Sequence, residues 1–142
     1  MTDTERGRVR RGTELGQIVR GGGLEAAAAF WCSQGGIGWP DHLVFYSSAG
    51  AIIGHFDTAS IGVTAGRQAV QSQSISTKGV VTAHLIAVPL AGDNELWGSA
   101  GAKLTFTWDA KKKVVRTSTK IYSDVKGTAA KVVKLTKAGK VT

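Results

Sequence analysis

Residues Ala102–Trp108 alternate without a break. Leu104, Phe106 and Trp108 fall on one side of the chain, and Lys103, Thr105 and Thr107 on the other. A period of two residues with one apolar side is the pattern of a half-buried antiparallel strand. Asp109-Ala110-Lys111-Lys112 then turns the chain. Val114–Ser123 returns, with Val115, Thr117, Thr119 and Ile121 read on one side and Val114, Arg116, Ser118, Lys120 and Tyr122 on the other.

The same device recurs upstream. Leu43–Ser47 and Ala51–Phe56 flank the turn Ser47-Ser48-Ala49-Gly50. Arg67–Ser76 and Val80–Val88 flank Thr77-Lys78-Gly79, and the second of these is rich in β-branched residues. Three hairpins in series, with no long helical period between them, predict a mostly β domain. The expected architecture is an antiparallel meander of about six to seven strands, forming a twisted sheet or a sandwich, with flexible N- and C-terminal ends. The chain divides into a basic flexible arm (1–23), the β domain (24–125) and a basic edge strand or tail (126–142). Val132, Val133 and Leu135 are the apolar residues from which that edge strand is expected. Leu24–Cys32, with its run Ala26–Ala29, suits a short helix or a buried strand of small residues.

Charge is unevenly placed. The net +8 of the 142 residues divides into +2 over 1–20, −3 over 21–102 and +9 over 103–142. The last segment sets ten lysines and Arg116 against Asp109 and Asp124. Such a region attracts phosphates, anionic lipid or acidic polymer. Its competing reading is a solvated face whose edge lysines block aggregation. No apolar run reaches the roughly 18 residues that span a bilayer. Leu24–Cys32 lies too far in to serve as the apolar core of an export signal, so the chain as written reads as cytoplasmic.

Cys32, the single cysteine, combines with His42, His55 or His84 and Asp41 or Asp57 to supply the residue types of a nucleophilic site. No spacing joins them, and no serine sits in a nucleophile elbow. No zinc spacing, calcium loop or phosphate-binding loop occurs, so no metal and no cofactor is expected. The expectation is a non-enzymatic binding domain. Two loops carry it. Gly35–Trp39 and Ala91–Ser99 each set a tryptophan among glycine and acidic neighbours, making Gln34, Trp39, Asp41, Asp93 and Trp97 the candidate ligand residues. The other reading of the two tryptophans is that they cap the ends of the core. The alternative function is a basic intracellular protein that holds nucleic acid electrostatically and without sequence preference. Lys103, Lys111, Lys112, Lys113, Arg116 and Lys120 are its candidate residues. Stacking aromatics are what it lacks, because Phe106 and Trp108 share the expected core side.

A wider pattern surrounds Cys32. Glu25-Ala26-Ala27-Ala28 precedes Cys32-Ser33-Gln34-Gly35-Gly36, followed by Trp39-Pro40-Asp41 and the strand Leu43–Tyr46. It continues through Gly54-His55-Phe56-Asp57, Gly66–Val70, Gly79-Val80-Val81, Gly92-Asp93 and Phe106-Thr107-Trp108. Residues 22–123 thereby resemble secreted and lipid-anchored proteins of high-GC Gram-positive bacteria, of the LppP/LprE-like lipoprotein kind. The resemblance implies a cell-envelope or secreted binding domain, with a protein or envelope ligand. It also implies that Leu24–Cys32 is a strand. Relatives of that kind carry an Asp-rich, calcium-loop-like turn before this strand. Here the turn is Arg20-Gly21-Gly22-Gly23, which lacks the carboxylates. They also start with an export signal and a longer N-terminal region, so this chain corresponds to their C-terminal part. Their cysteine pairs within the long loop, where this chain has Glu95-Leu96-Trp97, which leaves Cys32 a thiol.

Overall fold

The computed structural model describes residues 8–19, 21–32, 39–93, 98–123 and 131–133, and the backbone alone at 8–11, 32 and 131–133. Nine strands occur among them: β1 (Arg8–Gly16), β2 (Glu25–Cys32), β3 (His42–Tyr46), β4 (Ile52–Asp57), β5 (Ala69–Ile75), β6 (Val81–Val88), β7 (Ala100–Asp109), β8 (Lys113–Ser123) and β9 (Lys131–Val133). One 3-10 turn, Thr58–Ser60, follows β4. Strands β1 to β4 form one sheet and β5 to β9 a second, each in sequential order and antiparallel throughout. The mostly β, antiparallel meander expected from the hairpins is therefore the fold. The strand number is higher than six to seven.

The core lies between the two sheets. Leu43, Phe45 and Phe56 face it from the first; Val81, Ala83, Leu85, Leu104 and Phe106 face it from the second. Phe106 is the hub. Its ring centroid lies 5.1 Å from that of Phe45 and 5.2 Å from that of Phe56, the latter edge to face. At one side the sheets meet along β1 and β5. There the Gln73 side-chain amide donates from Nε2 to the carbonyls of Gly12 and Ala27, at 2.9 Å each. At the other side Gly54 of β4 lies against Val114 of β8.

The extra strands have a physical origin. Residues 8–16 are not an arm, because β2 offers them a full antiparallel ladder, from Arg8 opposite Cys32 to Gly16 opposite Glu25. Their glycines disfavour a helix without preventing a strand. At Gly16 the missing side chain is required, since a Cβ there would fall 2.9 Å from Ile75. Leu24–Cys32 forms a strand, not a helix. The tail contributes β9, which includes Val132 and Val133, while Leu135 lies outside the described residues.

The two sides of β8 also differ from simple alternation. The register slips between Thr105 and Phe106, so that Thr105 faces Ser118 but Phe106 faces Arg116. One extra residue in β8 reverses the parity beyond it. Val114 and Arg116 share the inward side with Thr119 and Ile121, whereas Ser118, Lys120 and Tyr122 face out.

Candidate functional site

The loop residues named from the sequence part company in three dimensions. Trp39 is 52% exposed, while its neighbours Pro40 and Asp41 are buried. Asp41 is wholly enclosed and acts inside the fold. Its Oδ2 accepts the Val70 N–H at 2.8 Å. Its own N–H donates to the Gln68 carbonyl, and its carbonyl accepts from the Thr58 N–H and hydroxyl. Asp41 therefore fastens β3 to the start of β5 and is not open to a ligand. Asp93 is also held by its own loop. Its Oδ2 accepts the N–H of Leu90 at 2.8 Å, and the N–H and hydroxyl of Ser99 at 2.9 and 2.7 Å. The Leu90 N–H above all, aided by those of Ser99, holds its carboxyl below the ordinary aspartate range. Gln34 and Trp97 lie outside the described residues.

The basic set divides as well. Lys103 and Lys120 face out from β7 and β8, directly opposite each other. Lys111, Lys112 and Lys113 are exposed at the β7–β8 turn. Asp109 closes that turn, its Oδ1 accepting the N–H of Lys111 and of Lys112 at 2.8 Å each. Those bonds, Lys112 first, draw its carboxyl down in pKa. Arg116 departs from the set. It points inward, its guanidinium 5.9 Å from the Phe56 ring centroid. Desolvation lowers its pKa, and Nη1 is buried without a hydrogen-bond partner among the described residues. A guanidinium held by packing, with one nitrogen buried and unsatisfied, adds little to stability. Arg116→Met is accordingly expected to keep or raise the urea midpoint, by up to about 1 kcal/mol in stability. A loss larger than that would show that the guanidinium is anchored.

Two of the three imidazoles meet, and the third stands apart. His42 and His55 share a 2.7 Å bond between Nδ1 and Nε2, with rings parallel to within 10°, on the outer face of the first sheet. One ring must donate and the other accept. His84 lies on the outer face of the second sheet. Cys32 ends β2. Among the described residues no three of His, Cys, Asp and Glu gather to hold a metal ion.

What the structure does bring together lies on the outer face of β6, β7 and β8. The side chain of Tyr122 lies over Gly101, its register partner; a Cβ at Gly101 would fall 2.6 Å from Tyr122 Cε2. The ring lines a cleft of about 240 Å³ with Gln71, Ile86, Ala87 and Ser99. The cleft exists because β6 is irregular here. Its register breaks between Leu85 and Val88, and Ala87 takes a φ of 57°. A non-glycine residue in that region is held there by its surroundings, and bulges of this kind re-aim neighbouring side chains. Ser99 reaches the rim because Asp93 holds it. Two residues along the strands from the cleft stand His84, Lys103 and Lys120, paired across in one row.

Two larger hollows lack this combination. One, about 410 Å³, lies between Gln17–Ile18 and the turn Thr77–Gly79. The other, about 300 Å³, is the β1–β5 seam that the Gln73 amide crosses. The Tyr122 cleft is not legible in the sequence, although Lys120 and Tyr122 share a side there, because it needs the break of β6 at Ala87 and the pairing of Tyr122 with Gly101. The spacing Lys120–Tyr122 was the available signal. Comparison with protein families, with curated proteins and with solved structures returns no match to this chain.

Proposed function

We propose that this protein is a non-enzymatic binding domain whose ligand lies on the outer face of the second sheet. A flat group of the ligand occupies the Tyr122 cleft and an anionic group meets Lys103 and Lys120. One observation carries the reading: an aromatic ring laid over a glycine beside two exposed lysines that face each other without an acid between them. Like charges directly opposite on a sheet are destabilising, and an anion relieves them. A location at the cell envelope or outside the cell is proposed with it, on the resemblance carried by Cys32–Asp41 and the residues around it. Among the described residues no helix is long and apolar enough to cross a membrane.

The test uses 1-naphthyl phosphate, which joins a flat ring to an anion. In a two-dimensional NMR titration, the amides of Ile86, Gly101, Lys103, Lys120 and Tyr122 are expected to shift. The shifts vanish in Lys103→Gln/Lys120→Gln, whose exposed positions leave the fold intact. Shifts confined to the first sheet, or none at all, would remove this reading.

A further inference from the structure

We infer that the ligand of this face is single-stranded nucleic acid, with a base in the Tyr122 cleft and its phosphates along Lys103 and Lys120. The inference rests on the binding reading above and names the chemistry of the ligand.

Four observations point the same way. The first is the row Ser72, His84, Lys103 and Lys120, set side by side across β5 to β8 by the pairing. Among the strand residues β5 to β8 the one carboxylate is Asp109, which ends β7 and is engaged by its own turn. The row is thus a positive field with no carboxylate in it; Asp93, behind Ser99 at the rim of the cleft, is engaged by the N–H groups of Leu90 and Ser99. The second is the next row, Ser74, Thr82, Thr105 and Ser118, a strip of hydroxyls. Thr105 Oγ1 bonds to Ser118 Oγ at 2.5 Å and to Thr117 Oγ1 at 3.0 Å. Hydroxyls bond phosphate and sugar oxygens without reading sequence.

The third is the order along the strands. The cleft lies two residues from the cationic row, or about 7 Å at 3.4 Å per residue. That is the reach from a base to a neighbouring phosphate. The track continues past the hydroxyls to the exposed Lys111–Lys113 at the end of β7, a strand of ten residues that spans roughly 30 Å. A lone nucleotide has no use for that length; a strand of several does. The fourth is the cleft itself. A flat aromatic wall suits an unstacked base, which a duplex does not offer. An anionic lipid fits less well. The exposed apolar groups Leu15, Leu24 and Ile52 belong to the first sheet and its β1–β2 connection, and on strands β5 to β8 Ile86 alone is a large exposed apolar side chain, too little to cover the chains of a lipid whose headgroup sits on Lys103.

The experiment is fluorescence anisotropy with labelled oligothymidylate and oligouridylate of about a dozen nucleotides, the upper part of the usual site sizes. Binding is expected to weaken with salt. The Lys103→Gln/Lys120→Gln protein should lose affinity and flatten the log–log salt slope by about 1.4, at about 0.7 per phosphate. Tyr122→Leu, which keeps apolar packing but has no flat face, should lose roughly five- to a hundred-fold, and Tyr122→Phe should match the parent. A duplex of the same length should bind more weakly than the single strand. If the lysine variant loses binding while Tyr122→Leu does not, the contact is unspecific charge and the inference fails. Thymidine monophosphate binding as tightly as the oligomer would replace it with a free nucleotide. Naphthyl phosphate in the cleft with no oligomer bound would overturn the inference and leave the binding reading intact. Neither bound would overturn both.

Discussion

Phe106→Ala is expected to lower the unfolding free energy by about 3–5 kcal/mol, a large share of the roughly 5–15 kcal/mol that holds a domain folded. The magnitude follows from position. Phe106 is fully buried at the centre of the sandwich and is the one ring that touches both Phe45 and Phe56. Its removal takes away the transfer term of a large aromatic and both ring pairs. It also leaves a cavity between two sheets whose ladders prevent collapse. The neighbouring guanidinium deepens the effect. Arg116 is the register partner of Phe106 and lies over Phe56, so water drawn toward it would enter beside the cavity. Phe106→Leu keeps most of the volume and should cost under about 1.5 kcal/mol. Urea unfolding followed by far-ultraviolet circular dichroism measures both. A Phe106→Ala loss under 1 kcal/mol would mean that the two sheets do not depend on this ring.

What was legible in the sequence was what one strand can say by itself. Ala102–Trp108 is read correctly because its two sides differ in every residue, and Leu104 and Phe106 are buried as the alternation requires. β8 defeats the same method after Arg116. Its extra residue is visible only against the partner strand, and from Ser118 onward every side exchanges. Residues 8–16 looked unpartnered because their partner is the alanine run of β2, whose own identity was open between helix and strand. The cleft needed three separate facts: the break in β6 at Ala87, the pairing of β6 with β7, and the pairing of Gly101 with Tyr122. None is a property of one segment. Among the candidate ligand residues, Trp39 is exposed, which a cap on the core would not be, whereas Asp93 is occupied by the loop it closes.

Asp41 is the sharpest case, and Asp41→Ala is expected to cost about 2–4 kcal/mol. After Trp39-Pro40 an aspartate looks like a loop residue facing water. Its burial depends on Val70, whose N–H meets Oδ2 across 29 positions of sequence. The alanine variant leaves that N–H buried and unpaired, which costs about 1–3 kcal/mol, and forfeits the hydrogen bond itself. The consequence spreads beyond one bond. Asp41, Thr58 and Gln68 are all fully enclosed. The Gln68 side chain extends the cluster, donating to the carbonyls of Ile61 and Thr64 and accepting the Gly66 N–H. This network carries the chain from the first sheet to the second, so loosening it should lower the cooperativity of unfolding as well as the midpoint. Asp41→Asn retains an acceptor of the same shape and should lose less than the alanine variant. Chemical denaturation with the two variants separates the roles. Were Asp41 a ligand residue on an open loop, Asp41→Ala would change stability by no more than about 0.5 kcal/mol and affect binding alone. A loss of the expected size, with naphthyl phosphate still bound by the folded fraction, assigns Asp41 to the joint between the sheets and leaves recognition to the face that carries Tyr122.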